Sequence, residues 1–224
     1  MAFATVGELV NFARVQLFDL TVADDDTRSL FSNAELIAYA NRAQQEFAEF
    51  TKCLLDNSTY TISVASGTRE YTLDDDILEL YSGWLGTTGK RVFPRTFEDI
   101  ELGYALNTDT ITELGAWETV TGPVEFIIVD HTFGKITTYP ISDVTETLNL
   151  NVAKTATAIT AMNDTLEIDP NFHIDLVDSV RSQAYSKQDS ETVDPERAAL
   201  LNNTWKSKLQ EAKRYYDTKY GRNT

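Results

Sequence analysis

The run from Gly83 to Lys90 ends in Gly89-Lys90, the pair that closes a phosphate-binding loop. Such a loop needs an earlier glycine, so that backbone N–H groups can wrap a phosphate, and a Ser or Thr after the lysine to hold magnesium. Trp84 and Arg91 occupy those two places, so the run reads as a β-turn. Asp24-Asp25-Asp26 and Asp74-Asp75-Asp76 could offer oxygen ligands to calcium, but both lack the EF-hand spacing, its glycine and its distal glutamate. They read as solvated loops. His131 and His173 are the only histidines, too few for a histidine-rich zinc site. Cys53 is the only cysteine, so no disulfide can form within the chain. It has no evident histidine partner and falls among apolar residues, as a small core residue does. No Gly-x-Ser-x-Gly elbow is present. The 35 carboxylates could contain a glycosidase-type pair, but nothing selects one. The expectation is a chain with no catalytic residues, no metal and no cofactor.

One other set of residues stands out by type and spacing. Lys206, Lys213, Arg214, Tyr215, Lys219, Tyr220 and Arg222 interleave cations and aromatics at the end of the chain. The net charge is −16, yet residues 184–224 carry a net +2 and the last 25 residues a net +4. Tyrosine and arginine are favoured in protein interfaces, and a basic end on an acidic body suits docking to an acidic protein surface. The bland reading is a solvated helix face, with Tyr216 and Tyr220 in the core. Basic residues with aromatics also suit single-stranded nucleic acid, but an acidic body repels phosphates and argues against a DNA-binding module.

The elements that must position these residues follow from hydrophobic periodicity. Val6, Leu9, Val10, Ala13, Leu17 and Leu20 predict a helix over 5–20. Ser32 and Glu35 form a capping box, with Phe31 and Leu36 placed as a hydrophobic staple, and the following stripe predicts a helix over 32–55. From 58 to 168 the period changes to two. Strands are expected at Thr59–Val64, at Arg69–Leu73 as its hairpin partner, and at Ile77–Leu85, Lys90–Phe93, Val124–Val129, Lys135–Tyr139 and Thr147–Val152. Thr96 to Ala105 reads as a short helix capped by Thr96 with Asp99 in its first turn. Asp169-Pro170 and Asp194-Pro195 each open a further helix. In the last one Ala198, Leu201, Trp205, Leu209, Ala212, Tyr216 and Tyr220 form one stripe.

The predicted fold class is therefore α+β. The N- and C-terminal segments (1–57 and 169–224) form an antiparallel four-helix bundle. An antiparallel β domain (58–168) is inserted between them, and the chain finishes in a C-terminal docking tail. The hydrophobic content of 42% is ample for a packed core. No apolar run approaches the roughly 20 residues that span a membrane, and the opening residues show no signal-peptide pattern. Without a secretion signal the Asn-x-Ser/Thr matches at Asn57, Asn163 and Asn202 carry little weight.

Four ordered segments carry a family likeness. Leu36-Ile37-Ala38-Tyr39-Ala40-Asn41-Arg42-Ala43-Gln44-Gln45-Glu46-Phe47 resembles the second helix of head-to-tail adaptor (neck, or connector) proteins of tailed bacteriophages. Gly67-Thr68-Arg69-Glu70-Tyr71-Thr72-Leu73-Asp74-Asp75-Asp76-Ile77-Leu78 resembles their hairpin, and Lys135-Ile136-Thr137-Thr138-Tyr139-Pro140 their late strand. The stretch from His173 to Asp189 is similar to their third helix.

That resemblance implies a non-enzymatic virion protein, made in the host cytoplasm and located in the neck. It implies a cyclic homo-oligomer, usually a dodecamer, below the portal ring. Such a ring extends the channel through which genomic double-stranded DNA passes without specific binding, and presents a surface to tail or nozzle proteins. The basic end of the chain would then be the portal-binding segment. The alternative from another class is a carbohydrate- or receptor-binding virion module on the β region, with Trp84 or Trp117 on an exposed platform.

Overall fold

The computed structural model describes residues 1–19, 30–100, 116–187 and 193–222. The expected Asp24-Asp25-Asp26 loop and the far end of the Thr96–Ala105 helix lie outside them. The chain divides into two compact units, one of Met1–Leu54 with Thr155–Thr224 and one of Leu55–Lys154.

Among the described residues the first unit holds helices α1 (Val6–Leu17), α2 (Asn33–Thr51), α3 (His173–Tyr185) and α4 (Pro195–Tyr220). Each start is locally encoded. The Thr5 hydroxyl accepts the Glu8 N–H, and the Ser32/Glu35 box is closed in both directions. Asp194 accepts the Arg197 N–H one residue before Pro195. A short 3-10 turn, Pro170–Phe172, opens on Asp169 and leads into α3. The buried Arg14–Asp19 ion pair ties the end of α1 to the start of α2. Asp19 also accepts the Leu30 N–H at 3.0 Å, and Arg14 donates to Asn33 at 2.9 Å.

These helices do not form the expected antiparallel four-helix bundle. α3 is the element against which α1, α2 and α4 all pack, and α1 has no comparable contact with α4. Length is the physical reason. α1 has 12 residues and α3 has 13, against 26 in α4. At the helical rise the short pair covers only about half of the long one. Non-helical chain fills part of the same core, through Ala156, Ile159 and Ile168.

That non-helical chain is a strap stitched down by polar side chains. The buried Gln44 side chain donates to Thr157 O at 3.2 Å and accepts the Glu167 N–H at 2.9 Å. Asn41 accepts the Ile159 N–H at 2.8 Å. The carbonyls of Asp164 and Met162 take the N–H groups of Val6 and Gly7 at 2.8 and 2.7 Å. Those two donors belong to the first turn of α1 and have no partner within the helix.

The second unit is a mixed sheet, which corrects the expectation of an antiparallel one. Its strands are β1 (Leu55–Asp56), β2 (Thr61–Val64), β3 (Glu70–Thr72), β4 (Ile77–Leu85), β5 (Arg91–Arg95), β6 (Thr121–Gly122), β7 (Phe126–Ile128), β8 (Lys135–Tyr139), β9 (Ile141–Ser142) and β10 (Glu146–Lys154). Eight make one sheet in the order β1-β10-β4-β5-β7-β8-β3, with β2 also on β10, while β6 and β9 make a parallel pair. β5 and β7 run parallel. A parallel pair needs a crossover of a dozen or more residues, and residues 96–125 supply it. They include the helical turn that opens at Phe97, where Thr96 and Asp99 cap each other as expected. The predicted hairpin of β2 with β3 is also absent, since β2 pairs with β10 and β3 with β8. Tyr71 links the two segments instead. Its hydroxyl accepts the Ala65 N–H at 3.1 Å and donates to Thr68 O at 2.8 Å. The centre of the sheet is β4 against β10. A Cβ on Gly83 would meet Leu148 Cδ1 at 2.9 Å and Asn149 O at 3.0 Å, so only glycine allows this close approach.

Candidate functional site

The cation-and-aromatic set runs along about the last four turns of α4, from Lys206 to Tyr220, with Arg222 just past its Gly221 cap. The apolar stripe fixes how that helix sits. Ala198, Leu201, Trp205, Leu209, Ala212 and Tyr216 are buried. The Trp205 indole N–H donates to Glu46 at 2.9 Å, and its ring lies 6.1 Å from that of Phe47. With the stripe inward, Lys206, Gln210 and Arg214 share an outward face at four-residue steps.

Six of the seven candidates gather near the helix end. A cleft of about 610 Å³ is lined by Gln210, Lys213, Arg214, Asp217, Thr218, Gly221 and Arg222. Lys213 is paired to Asp217 at 3.3 Å. Arg214 and Lys206 are exposed and make no ion pair among the described residues. The Lys219 ammonium lies 5.4, 5.7 and 5.8 Å from the ring centres of Tyr215, Tyr216 and Tyr220, and 3.9 Å from Asp169. Tyr215 is 44% exposed and Tyr220 38%, while Tyr216 is buried between Phe47, Phe172 and Tyr220. Burial pushes the Tyr216 phenol far above its ordinary range, so it stays neutral.

Arg222 does something the sequence did not reveal. Its guanidinium donates to Thr51 O at 3.2 Å and Lys52 O at 2.9 Å. It thereby closes the C-terminus of α2, where Lys52 turns left-handed with φ 52°. The Tyr220 hydroxyl reaches Cys53 O at 3.5 Å. The guanidinium contact packs Arg222, the last described residue, against the end of α2. It also explains why α2 stops at Thr51 rather than near Leu55. The Asp217 and Asp169 partners were partly legible, since Lys213 and Asp217 stand one helical turn apart. The Arg222 contact was not, because nothing local marks which carbonyls it meets.

The other chemistry-bearing residues are structural. His173 is buried. Its Nδ1 accepts the Phe3 N–H at 3.1 Å, and its Nε2 faces Ile168 O at 2.8 Å. His131 lies 3.6 Å from Glu70 and against the Phe97 ring. Burial raises the Cys53 thiol above its ordinary range, which keeps it protonated and a poor nucleophile. Among the described residues no group of His, Cys, Asp and Glu is arranged to hold a metal. Among the same residues no helix is long and apolar enough to cross a membrane. Trp84 is half-buried on β4, paired across to Asn149 and Arg91.

The end of α4 thus presents a cationic, tyrosine-bearing surface. The description "SU10 adaptor protein" matches residues 4–224. The chain belongs to the SU10 adaptor protein family. This bears out the resemblance to phage head-to-tail adaptors carried by its second helix, its Gly67–Leu78 stretch and its Tyr-Pro strand. None of the curated proteins matches the chain. An adaptor of this family is a structural component in kind, and in this SU10 adaptor the exposed part of the basic face is Lys206, Arg214, Tyr215, Lys219 and Tyr220.

Proposed function

We propose that this phage adaptor is a non-enzymatic neck protein that assembles as a cyclic ring, usually a dodecamer in such proteins, between the portal and the tail. The observation that carries the reading is the family match over residues 4–224 together with a cationic, tyrosine-bearing face on a chain of net charge −16. A closed ring needs two different faces on each subunit. An acidic subunit with one basic face supplies that asymmetry. Arg214 and Lys206 make no ion pair among the described residues, so they are the groups available to portal carboxylates, while Tyr215 and Tyr220 supply apolar contact. Rim charges of this kind set on-rate and salt dependence more than residence time. The ring extends the DNA channel and offers its other surface to tail or nozzle proteins. Genomic DNA passes an acidic protein without gaining counterion release, so it does not stick.

The test is assembly onto purified portal rings, followed by negative-stain imaging and native mass spectrometry. The wild-type protein should form a ring on one end of the portal, and the double variant Lys206→Glu, Arg214→Glu should join it several-fold more slowly with an unchanged melting temperature. Equal assembly of that variant at low salt would move the portal interface elsewhere. Retention of duplex DNA at physiological salt would count against a passive channel.

A further inference from the structure

Two places on the sheet of the second unit carry exposed groups of opposite character. The first is the outer face of β4 and β5. Gly83 and Val92 stand opposite each other and are both buried, so the next pair, Trp84 and Arg91, points to the other side. Arg91, Phe93 and Arg95 alternate with buried Val92 and half-buried Pro94, and all three are exposed, Phe93 to 50%. Arg95 lies over the Phe126 ring, 5.6 Å from its centre, and Phe126 is the β7 residue paired with Phe93. Lys90 stands exposed just before β5. Lys90 and Arg91 make no ion pair among the described residues. This face is therefore cationic and aromatic, on a chain of net charge −16.

The second place is the turn between β7 and β8, where Phe133 is wholly exposed. The turn is nonetheless braced. Thr132 and Lys135 donate to the Glu70 carboxylate at 3.3 and 3.2 Å, and Gly134 O accepts the Leu73 N–H at 2.9 Å. That last bond sets the Asp74-Asp75-Asp76 turn beside Phe133. Asp75 and Asp76 are exposed and make no ion pair among the described residues. An aromatic on a braced turn has little freedom left to lose when a partner covers it, which suits an interface anchor. β5 and β7 run parallel with Arg95 opposite Ile128, so Phe133 lies past their C-terminal ends, while Lys90 and Arg91 lie at the N-terminal end of β5. The two places are thus toward opposite ends of the sheet.

We infer that the cationic, aromatic face of β4 and β5 is occupied by a second copy of this chain, which docks there through its Phe133 turn and the acidic turn beside it. The inference rests on the ring proposed above and names the contact between its subunits. Asp75 and Asp76 of one copy meet Lys90 and Arg91 of the next, and Phe133 lies against Phe93 and Trp84. Charge sets the polarity of the contact, because like places repel and only unlike places attract. Each copy then gives one place and receives the other, and such a head-to-tail contact repeats until the rotation closes. The basic face of α4 takes no part and stays available to the portal.

Two charge-reversed variants of the full chain test it on purified portal rings, Asp75→Lys with Asp76→Lys, and Lys90→Glu with Arg91→Glu. All four residues are exposed, so both variants should melt as the wild type does. Native mass spectrometry counts the adaptor copies on each portal. Either variant alone should fail to complete a ring, since its two places now carry charge of one sign. Their equimolar mixture should restore the wild-type count with the two variants in equal number, because each presents what the other lacks. Phe133→Ser should raise the protein concentration needed to complete the ring about tenfold, as loss of an aromatic anchor does. A complete ring from either charge variant alone, a mixture that restores nothing, or an unaffected Phe133→Ser would each overturn this contact and leave the ring itself standing. Wild-type protein that binds portals without closing a ring would overturn both.

Discussion

Thr51 lies near the end of the first unit's first segment and Arg222 near the end of its second, yet the guanidinium of Arg222 donates to the main-chain carbonyl of Thr51 at 3.2 Å. The same group reaches Lys52 O at 2.9 Å. The last carbonyls of a helix lack intrahelical partners and carry partial negative charge, so a cation there is doubly favourable. Arg222→Ala should destabilise the first unit by about 1–2 kcal/mol, a charged hydrogen bond discounted for partial exposure. Arg222→Lys should recover only part of that, because a single ammonium nitrogen lacks the planar two-nitrogen fork with which Arg222 meets the two carbonyls. Urea unfolding followed by tryptophan fluorescence measures both. No change in either variant would mean that solvent replaces the cap.

The end of the chain is core as much as surface. A chain ended after Ala212 loses buried Tyr216 along with Arg222. Losing that aromatic alone should cost about 3–5 kcal/mol. The truncated protein should melt far below the full chain, so failure to join a portal would report unfolding rather than a missing contact. Point variants at Lys206 and Arg214 avoid that confusion.

Trp205 is 1% exposed and is the largest fully buried side chain among the described residues. Trp205→Ala should cost about 3–5 kcal/mol. Trp205→Phe keeps most of the packing but leaves Glu46 without its indole donor, and should cost nearer 1 kcal/mol. A Phe variant as unstable as the Ala variant would show that the hydrogen bond, not the packing, dominates.

Acid stability has a local source in each unit. The backbone N–H of Ser58, then that of Thr59, holds the Asp56 carboxyl down to about 2. The Ser32 backbone N–H is the largest cause lowering Glu35, which Lys187 approaches at 3.0 Å. A depressed carboxylate binds fewer protons folded than unfolded. Its contribution is therefore complete above the ordinary carboxylate range and is lost as pH falls through the folded value. Asp56→Asn should remove part of the acid-side slope between about pH 4 and pH 2. An NMR titration of Asp56 with an ordinary midpoint would sink this account.

Legibility followed the range over which each feature is determined. The Ser32/Glu35 box, the Asp194-Pro195 start and the Trp205 stripe are set by neighbours within one or two turns, and all could be read from residue order. The parallel β5–β7 pair depends on a crossover through 96–125 that periodicity does not mark. β2 and β3 sit on either side of a good turn at Gly67, yet β10 and β8 outcompete them for each other. Residues 155–168 show no period because side chains of Asn41 and Gln44, not a ladder, satisfy their backbone. At the candidate site the charges were visible. Which of them are already engaged, as Lys213 is with Asp217 and Arg222 with α2, was not.

The interrupted course of the first unit bears on how the protein is made. The second unit is one unbroken stretch, Leu55–Lys154, and all its strand partners have left the ribosome once Lys154 emerges. α1 and α2 emerge earlier, but the residues that cover them, from Ala156 to Tyr216, come last. During synthesis the nascent chain therefore carries a sheet ready to fold behind two helices with bare apolar faces. Domains fold as units, and exposed apolar surface on an incomplete chain invites aggregation. Ribosome-stalled chains ending near residue 155 should resist protease across the sheet while α1 and α2 are cut, and they should recruit chaperones that the finished protein does not.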